Sequence, residues 1–250
     1  MNKKKLIISL ILKIVCIVSA ITGTLLAFYW PEGYMVKWRT FLYFTEDSNI
    51  LMTIVMYIGV IRIIKDFKGL DKKISDDTFY CLKHMFTVMM FFTMLTFYGM
   101  SLVGLFTESE TDRAGIIHLM SIPSNWTVHL LAPITSIIDY LFFDARVKKE
   151  NRRIINFLSL IFPLCYSIGT IMLSYAGVRF SHELAIVPYF FLDYEQYGYL
   201  SIGNGKIGII YMWVVLALII YFSNYLFYYL QGLIQKKSSI REDTIKKVLY

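Results

Sequence analysis

Six long apolar blocks, each of about 20 residues, dominate the 250-residue sequence and constrain its fold more than any other feature. A block of this length matches the roughly 30 Å hydrocarbon core that a transmembrane helix crosses. The blocks span residues 6–29, 41–63, 85–106, 124–143, 154–175 and 207–230. Backbone in lipid is helical unless strands close into a barrel, and the short alternating segments of a barrel are absent. The sequence therefore predicts an all-α polytopic membrane protein, one domain built as a bundle of about six transmembrane helices.

Composition agrees with this prediction, because only 17% of the residues are charged, whereas soluble domains carry about 25%. The first block raises the question of a cleaved signal peptide, since it follows three lysines and contains small residues at Ser19 and Ala20. The apolar region of a signal peptide is only about 7–15 residues long. We therefore interpret the first block as an uncleaved transmembrane helix.

The distribution of basic residues predicts how the helices are oriented. Nineteen of the 25 Lys and Arg residues fall in four segments that six crossings place on one side: the two terminal tails and the second-to-third and fourth-to-fifth connections. Basic residues near helix ends are retained in the cytoplasm, so both termini of this predicted cell-membrane protein are expected there. Lys13 lies inside the first block, low enough for its ammonium group to snorkel toward the cytoplasm.

The net charge of +7 does not indicate nucleic-acid binding, because the basic residues form no single stripe. Membrane lipids with anionic headgroups are the partners that such juxtamembrane segments favour. Cys16, Cys81 and Cys165 are far apart and show no paired spacing, so neither a zinc site nor a disulfide framework is predicted. No metal or organic cofactor is expected.

Polar residues inside the apolar blocks are the informative ones, because they are costly in lipid and usually face the bundle interior. Two blocks carry polar residues at four-residue spacing, which places them on one helical face. In the second block these are Thr45, Asn49 and Thr53, and in the fourth they are Asn125 and His129, followed by Pro133.

Depth in the membrane brings two of these residues together. At 1.5 Å per residue, Thr45 lies about 6 Å below the outer end of its helix and His129 about 8 Å below that of its own. A threonine hydroxyl becomes nucleophilic when a base removes its proton, and histidine is the usual base. Spacing alone favours the simpler interpretation, in which Thr45 bonds its own helix and His129 cross-links helices. The sequence leaves three alternative roles for Glu46 and Asp47. Their carboxyl groups either orient the imidazole, bind a cation or lie among the lipid headgroups without either role.

Other polar features carry weaker predictions. His84 and Asp139 fall near cytoplasmic helix ends and His118 and His182 in external connections, so none is given a catalytic role. The external connection from about residue 176 to 206 contains the aromatic run at residues 187–194, which is too apolar for disorder. This run is either an interfacial aromatic belt or a lid over an outward-facing pocket.

Three motifs together resemble the androgen-induced-gene-type six-helix membrane proteins and their bacterial relatives. They are Phe44-Thr45-x-x-Ser48-Asn49, His129-x-x-x-Pro133 and Pro188-Tyr189-Phe190-Phe191-Leu192-Asp193. Animal members of that family are described as threonine hydrolases of fatty-acid esters of hydroxy fatty acids. The resemblance implies that Thr45 is the nucleophile and His129 the base, and we expect Ser48, Asn49 and Asn125 to bind the substrate.

The leading hypothesis is therefore an intramembrane lipid ester hydrolase without a cofactor. A small transporter or proton-coupled carrier is the first alternative, with Glu46, Asp47 and His129 forming an ion or proton path. A non-catalytic lipid-binding or scaffolding protein is the second. A carrier moves its substrate when Thr45 is alanine, a hydrolase loses turnover but keeps binding, and a scaffold shows neither activity.

The charge asymmetry predicts the result of a labelling experiment in intact cells. In a background without the native cysteines, a cysteine introduced at Lys149 or in the C-terminal tail should be protected from an impermeant thiol reagent, because both segments are cytoplasmic. A cysteine at Asp112 should react. Reaction at the first two positions with protection at the third would invert the topology.

Overall fold

The computed structural model describes residues 3–29, 37–71, 74–107, 109–180, 185–203 and 206–249. His182 lies outside these ranges. Seven helices form the described part: α1 Lys3–Tyr29, α2 Phe44–Lys68, α3 Asp76–Thr107, α4 Glu110–Ser121, α5 Pro123–Phe143, α6 Arg152–Tyr175 and α7 Ile209–Leu249. Short helical turns occupy Lys37–Leu42, Lys149–Asn151, Phe190–Leu192 and Tyr194–Tyr197. Strands β1 (Ile202–Gly203) and β2 (Lys206–Ile207) form a small antiparallel hairpin before α7.

The all-α polytopic prediction is confirmed, because five of the helices are long and apolar enough to cross a membrane: α1, α3, α5, α6 and α7. Large apolar side chains cover their outer surfaces, including Val18, Phe157 and Phe222, each more than half exposed. Water would penalise such a surface, whereas lipid chains match it. The protein is therefore built to place these helices in a membrane.

Helix α2 is the sixth long helix, but it is not among the five with the apolar composition of a membrane span. It carries Glu46 and Asp47 in its first turn and buries both Glu46 and Arg62. It packs between α1 and α3, where its polar side chains are shielded. Its end is set by Gly69, whose φ of 63° is a left-handed conformation that glycine adopts without strain.

Helix bounds differ from the apolar blocks where the blocks end in charged sequence. Helix α2 begins at Phe44, because the preceding residues Lys37–Leu42 form a tighter turn. Helix α3 begins at Asp76, well before the predicted residue 85, and α7 continues to Leu249 rather than ending near residue 230. Hydropathy reports the thickness of the hydrocarbon region, whereas charged residues sustain a helix in water equally well.

A cluster of four charged side chains is buried where α1, α3 and α5 meet. The Lys13 Nζ lies 2.6 Å from Asp139 Oδ2 and 3.4 Å from Asp144 Oδ1. The Lys83 Nζ lies 2.7 Å from the same Asp139 oxygen and 3.8 Å from Asp144 Oδ2. Ser9 donates a hydrogen bond of 2.6 Å to Asp139 Oδ1. Two positive and two negative charges cancel, so the cluster is neutral.

The prediction that Lys13 snorkels to the membrane surface is wrong. Only 2% of its surface is exposed, because its ammonium group pairs with two carboxylates inside the bundle. The side chain crosses the face of α2 at Gly59, where a Cβ atom would come within 2.5 Å of the Lys13 Cε. A glycine at this position therefore gives Lys13 its path to the cluster.

A second buried network attaches α7 to the rest of the bundle. His84 of α3 contacts the Tyr140 hydroxyl at 2.6 Å and Asn224 Oδ1 at 2.9 Å. Its ring stacks on Tyr228 at a centroid distance of 4.2 Å. Tyr140 donates to Gln231 of α7 at 3.0 Å. Thus His84 and Asp139, which the sequence placed near helix ends without a role, organise the packing between helices.

The charge cluster predicts a non-additive effect on stability. Asp139→Asn leaves an uncompensated buried lysine and should lower the free energy of unfolding by about 3–5 kcal/mol. The double variant Lys13→Met with Asp139→Asn keeps the cluster neutral, so it should cost at least about 1 kcal/mol less than the sum of the single variants. Denaturation of the purified protein in mixed micelles measures these differences.

A matched control is the exposed pair of Lys148 and Asp77, which are 2.5 Å apart. Because solvent screens this pair, Lys148→Met should change the free energy of unfolding by less than about 1 kcal/mol. Strict additivity of the two cluster variants would contradict the coupling.

Candidate functional site

A cavity of about 550 Å³ lies within the bundle. Its wall is formed by the first turn of α2, the second half of α3, the middle of α6 and the first half of α7. Residues of α4, α5 and the loop between α6 and α7 close the remaining sides. Apolar and aromatic side chains supply most of this wall. The volume is within the usual range for small-molecule pockets, about 300–1,000 Å³.

Thr45 and His129 both line this cavity, and both are buried. They come together because α2 and α5 are neighbours: the Asn49 side-chain amide of α2 donates to the Val128 carbonyl of α5 at 3.3 Å. The described residues show no hydrogen bond between Thr45 and His129. The predicted pair therefore shares one cavity wall without direct contact in this conformation, as is common in unliganded sites.

A π-helical turn at Thr127–Leu131 carries His129. Within it the Ala132 N–H donates to the Thr127 carbonyl, five residues earlier. Pro133 explains why the regular pattern fails here, because it has no N–H to donate to the His129 carbonyl. Single π turns interrupt α-helices mostly at functional sites, and this one fixes the position of the histidine that faces the cavity.

The His129 ring is positioned by aromatic packing and by a hydrogen bond with the Thr93 backbone of α3. It stacks on Phe97 of α3 with a centroid distance of 4.0 Å and an interplanar angle of 10°. Its Nδ1 atom is buried and has no hydrogen-bond partner in the described part of the chain. Such an atom is costly to leave unpaired, at about 1–3 kcal/mol, so the ring is poised to pair with a group that enters the cavity.

The three predicted substrate-binding residues have different positions. Asn125 lines the cavity and donates through its Nδ2 to the Leu119 carbonyl of α4 at 2.8 Å. Ser48 and Asn49 do not line it. Their side chains donate to the Thr45 carbonyl at 2.9 and 2.8 Å, so they brace the turn that presents Thr45. These side chains bond to the backbone of their own helix because the i−3 and i−4 carbonyls are the nearest acceptors.

Tyr189 and Trp213 are cavity residues that the polar-stripe reasoning missed, since aromatic residues are common in any membrane protein. The Tyr189 hydroxyl and the Trp213 Nε1 are buried without hydrogen-bond partners in the described part of the chain. Tyr189 adjoins Thr45 and the Glu46 carboxyl. Burial, with Glu46 as the next contribution, raises the pKa of the Tyr189 phenol well above its ordinary value, so it stays a proton donor.

The aromatic run of the loop between α6 and α7 contributes directly to the cavity wall. Tyr189 and Phe191 line the cavity, and their rings stack with a centroid distance of 5.1 Å. Tyr43 of the segment before α2 meets Tyr189 edge-on at 5.9 Å and donates to the Phe180 carbonyl at 3.1 Å. This part of the loop therefore covers the cavity, which favours the lid over the aromatic belt.

The cavity reaches the apolar outer surface of the bundle. Met100 of α3 and Leu164 of α6 line it, yet each is 42% exposed. Leu119 of the surface helix α4 does the same. Because Met100 and Leu164 are apolar and lie on helices that are long and apolar enough to cross a membrane, the opening suits a molecule that arrives from the membrane.

Within the described ranges, no group of three or more His, Cys, Asp or Glu side chains is placed to hold a metal ion. Comparison of the sequence with protein-family models gives no match, and neither the curated proteins nor the solved structures yield a similar one. The site is therefore interpreted from its own geometry.

The π turn leads to a structural prediction for Pro133→Ala. Alanine restores the missing N–H, so the helix should become regular and the bond from Ala132 to Thr127 should be lost. The thermal midpoint should rise, because an interior proline costs a helix about 3 kcal/mol. Pro163→Ala in α6 is the matched control, since it removes another helix-interior proline outside the π turn. A structure of the Pro133 variant that keeps the π turn would refute this cause.

Proposed function

We propose that this protein hydrolyses lipid esters within the membrane, with Thr45 as the nucleophile and His129 as the base. The observation that carries the proposal is the shared cavity, which is lined by both residues and opens onto the lipid-facing surface. The π turn that holds His129 and the resemblance to the androgen-induced-gene-type proteins support the same roles. The resemblance rests on three short motifs, and residues from each of them line this cavity.

The reaction proceeds in two balanced steps. The Thr45 Oγ attacks the ester carbonyl carbon while His129 takes the hydroxyl proton, and the tetrahedral intermediate collapses as His129 returns that proton to the leaving alcohol oxygen. An acyl-threonine ester remains. Water then attacks this ester, His129 accepts the water proton, and the carboxylic acid leaves as Thr45 regains its hydrogen.

Tyr189 is the proposed donor to the developing oxyanion. Its hydroxyl adjoins Thr45 and has no other partner in the described part of the chain. Such a donor acts in a water-poor site, where one hydrogen bond to an oxyanion is worth about 3–4 kcal/mol. Asn49, which the sequence suggested as a substrate-binding residue, is not available for this role, because its side-chain amide already donates to two carbonyls.

The proposed substrate is an ester with long alkyl chains, resembling the fatty-acid esters of hydroxy fatty acids. Aliphatic side chains of α6 and α7, such as Leu160, Leu164 and Leu216, match alkyl chains. Entry between Met100 and Leu164 would let the ester reach Thr45 without crossing water.

A small carrier is the second candidate, and the buried Glu46 favours it. This carboxyl lines the cavity without a cationic partner in the described part of the chain, as in sites that exchange a proton for a substrate. Transport into sealed vesicles by Thr45→Ala protein would select the carrier, because transport does not need the nucleophile.

The hydrolase predicts the behaviour of three variants in a fluorogenic long-chain ester assay. Thr45→Ala should abolish hydrolysis, His129→Gln should lower it nearly as far, and the double variant should be hardly worse, because residues that act as one unit are non-additive. Thr45→Ser keeps a hydroxyl and should keep part of the activity. A fluorophosphonate probe should label wild-type protein at Thr45.

Thr96→Ala is the matched control. Thr96 lines the same cavity, but its hydroxyl already donates to the Phe92 carbonyl at 2.7 Å. Loss of this hydroxyl should therefore leave turnover within about twofold, since substitutions away from functional contacts usually change the free energy by less than about 0.5 kcal/mol. Folded Thr45→Ala protein that hydrolyses the ester at the wild-type rate would remove the enzyme proposal.

A further inference from the structure

Glu46 is a buried carboxyl that forms no ion pair with a cation in the described part of the chain. Only 6% of its surface is exposed, and it lines the cavity at the start of α2. The described residues that line the cavity include no lysine or arginine. No lysine or arginine of the described residues is a resolved electrostatic partner of the Glu46 carboxyl.

The other buried carboxylates of this chain show the contrast. Asp139 and Asp144 are each paired with both Lys13 and Lys83 inside the bundle. A buried carboxylate costs several kcal/mol unless a positive charge compensates it. The described residues supply that charge at the cluster, but those that line the cavity beside Glu46 supply none, so a positive group from outside the protein fits this place.

Aromatic rings surround the same end of the cavity. Tyr189 and Glu46 line the same cavity and interact electrostatically, and the rings of Tyr43 and Tyr166 lie 5.9 and 6.3 Å from the Tyr189 ring. Trp213 also lines the cavity. Faces of tyrosine and tryptophan attract ammonium groups, and cages of such rings bind quaternary ammonium ligands. One carboxyl among several aromatic rings is the composition of a cation site.

We propose that the cavity binds an amphiphile with an ammonium head, which lies against Glu46 and Tyr189. Its apolar tail runs along α3 and α6 toward the opening at Met100 and Leu164. This assignment rests on the proposed function and changes its substrate in one respect: the fatty-acid esters of hydroxy fatty acids carry a carboxylate head, whereas the same cavity is assigned here to an ester with an ammonium head. It concerns binding rather than the reaction of Thr45. The ammonium group belongs either to the headgroup of a membrane lipid or to a free amphiphilic amine.

The test compares ligands of one chain length on the purified protein in nanodiscs. Decyltrimethylammonium should bind at least about tenfold more tightly than decyl sulfate, which corresponds to about 1.4 kcal/mol. Competition by lysophosphatidylcholine would assign the ammonium to a lipid headgroup, whereas binding of the simple ammonium alone would assign it to a free amine. Equal or tighter binding of the sulfate would overturn the proposal without any variant.

The variants locate the site. Glu46→Gln should weaken decyltrimethylammonium binding by about tenfold or more, because it removes the charge and keeps the shape. Asp47→Asn is the matched control: it neutralises the neighbouring carboxyl, which is not among the described residues lining the cavity, and should leave affinity unchanged. Unaltered affinity in folded Glu46→Gln protein would also overturn the proposal.

These experiments distinguish a failure of the hydrolase proposal from a failure of the cation-site proposal. Thr45→Ala should still bind decyltrimethylammonium, since the nucleophile does not contact the ammonium group. Binding without hydrolysis by wild-type protein would remove the hydrolase and keep the cation site. Hydrolysis by wild-type protein that binds decyltrimethylammonium no more tightly than decyl sulfate would keep the hydrolase and remove the cation site.

Discussion

The packing of this bundle depends on the neutral cluster of Lys13, Lys83, Asp139 and Asp144. Four charges inside a membrane protein are tolerated only when they cancel, so α1, α3 and α5 must meet in one relative arrangement for the cluster to form. Once these helices are fixed, α2 fills the groove between α1 and α3. The network around His84 then attaches α7. The arrangement of the helices follows from these polar contacts, because apolar contacts alone do not distinguish a neighbouring helix from lipid.

Buried polar groups differ in their pairing between the charge cluster around Asp139 and the cavity around Glu46. Each of the four charged side chains of the cluster forms ion pairs within it. The cavity wall instead carries three buried polar atoms without hydrogen-bond partners among the described residues, His129 Nδ1, the Tyr189 hydroxyl and Trp213 Nε1, and its described residues offer Glu46 no lysine or arginine. Unpaired buried groups cost stability, so a ligand that pairs with these groups would recover part of that stability.

The proposed chemistry needs two independent properties of that cavity. Thr45 and His129 supply a nucleophile and a base on adjacent helices, with the π turn setting the position of the base. Glu46 and the aromatic rings supply recognition of a positive head, and the opening toward lipid supplies access for an alkyl chain. The cavity therefore suits an amphiphile whose reactive group lies between its head and its tail.

The sequence by itself determined the all-α membrane class, because blocks of apolar residues have only one solution in lipid. It also placed Thr45 and His129 at similar depth, since helical rise is constant. It was wrong for Lys13 and did not reveal that Ser48 and Asn49 donate to the Thr45 carbonyl, because spacing along one helix does not say which neighbour satisfies a side chain. Only the tertiary structure paired Lys13 with Asp139 across 126 residues and placed Glu46 in a cavity whose described lining residues include no lysine or arginine. Electrostatic partners are set by distances between helices, and no local pattern encodes those distances.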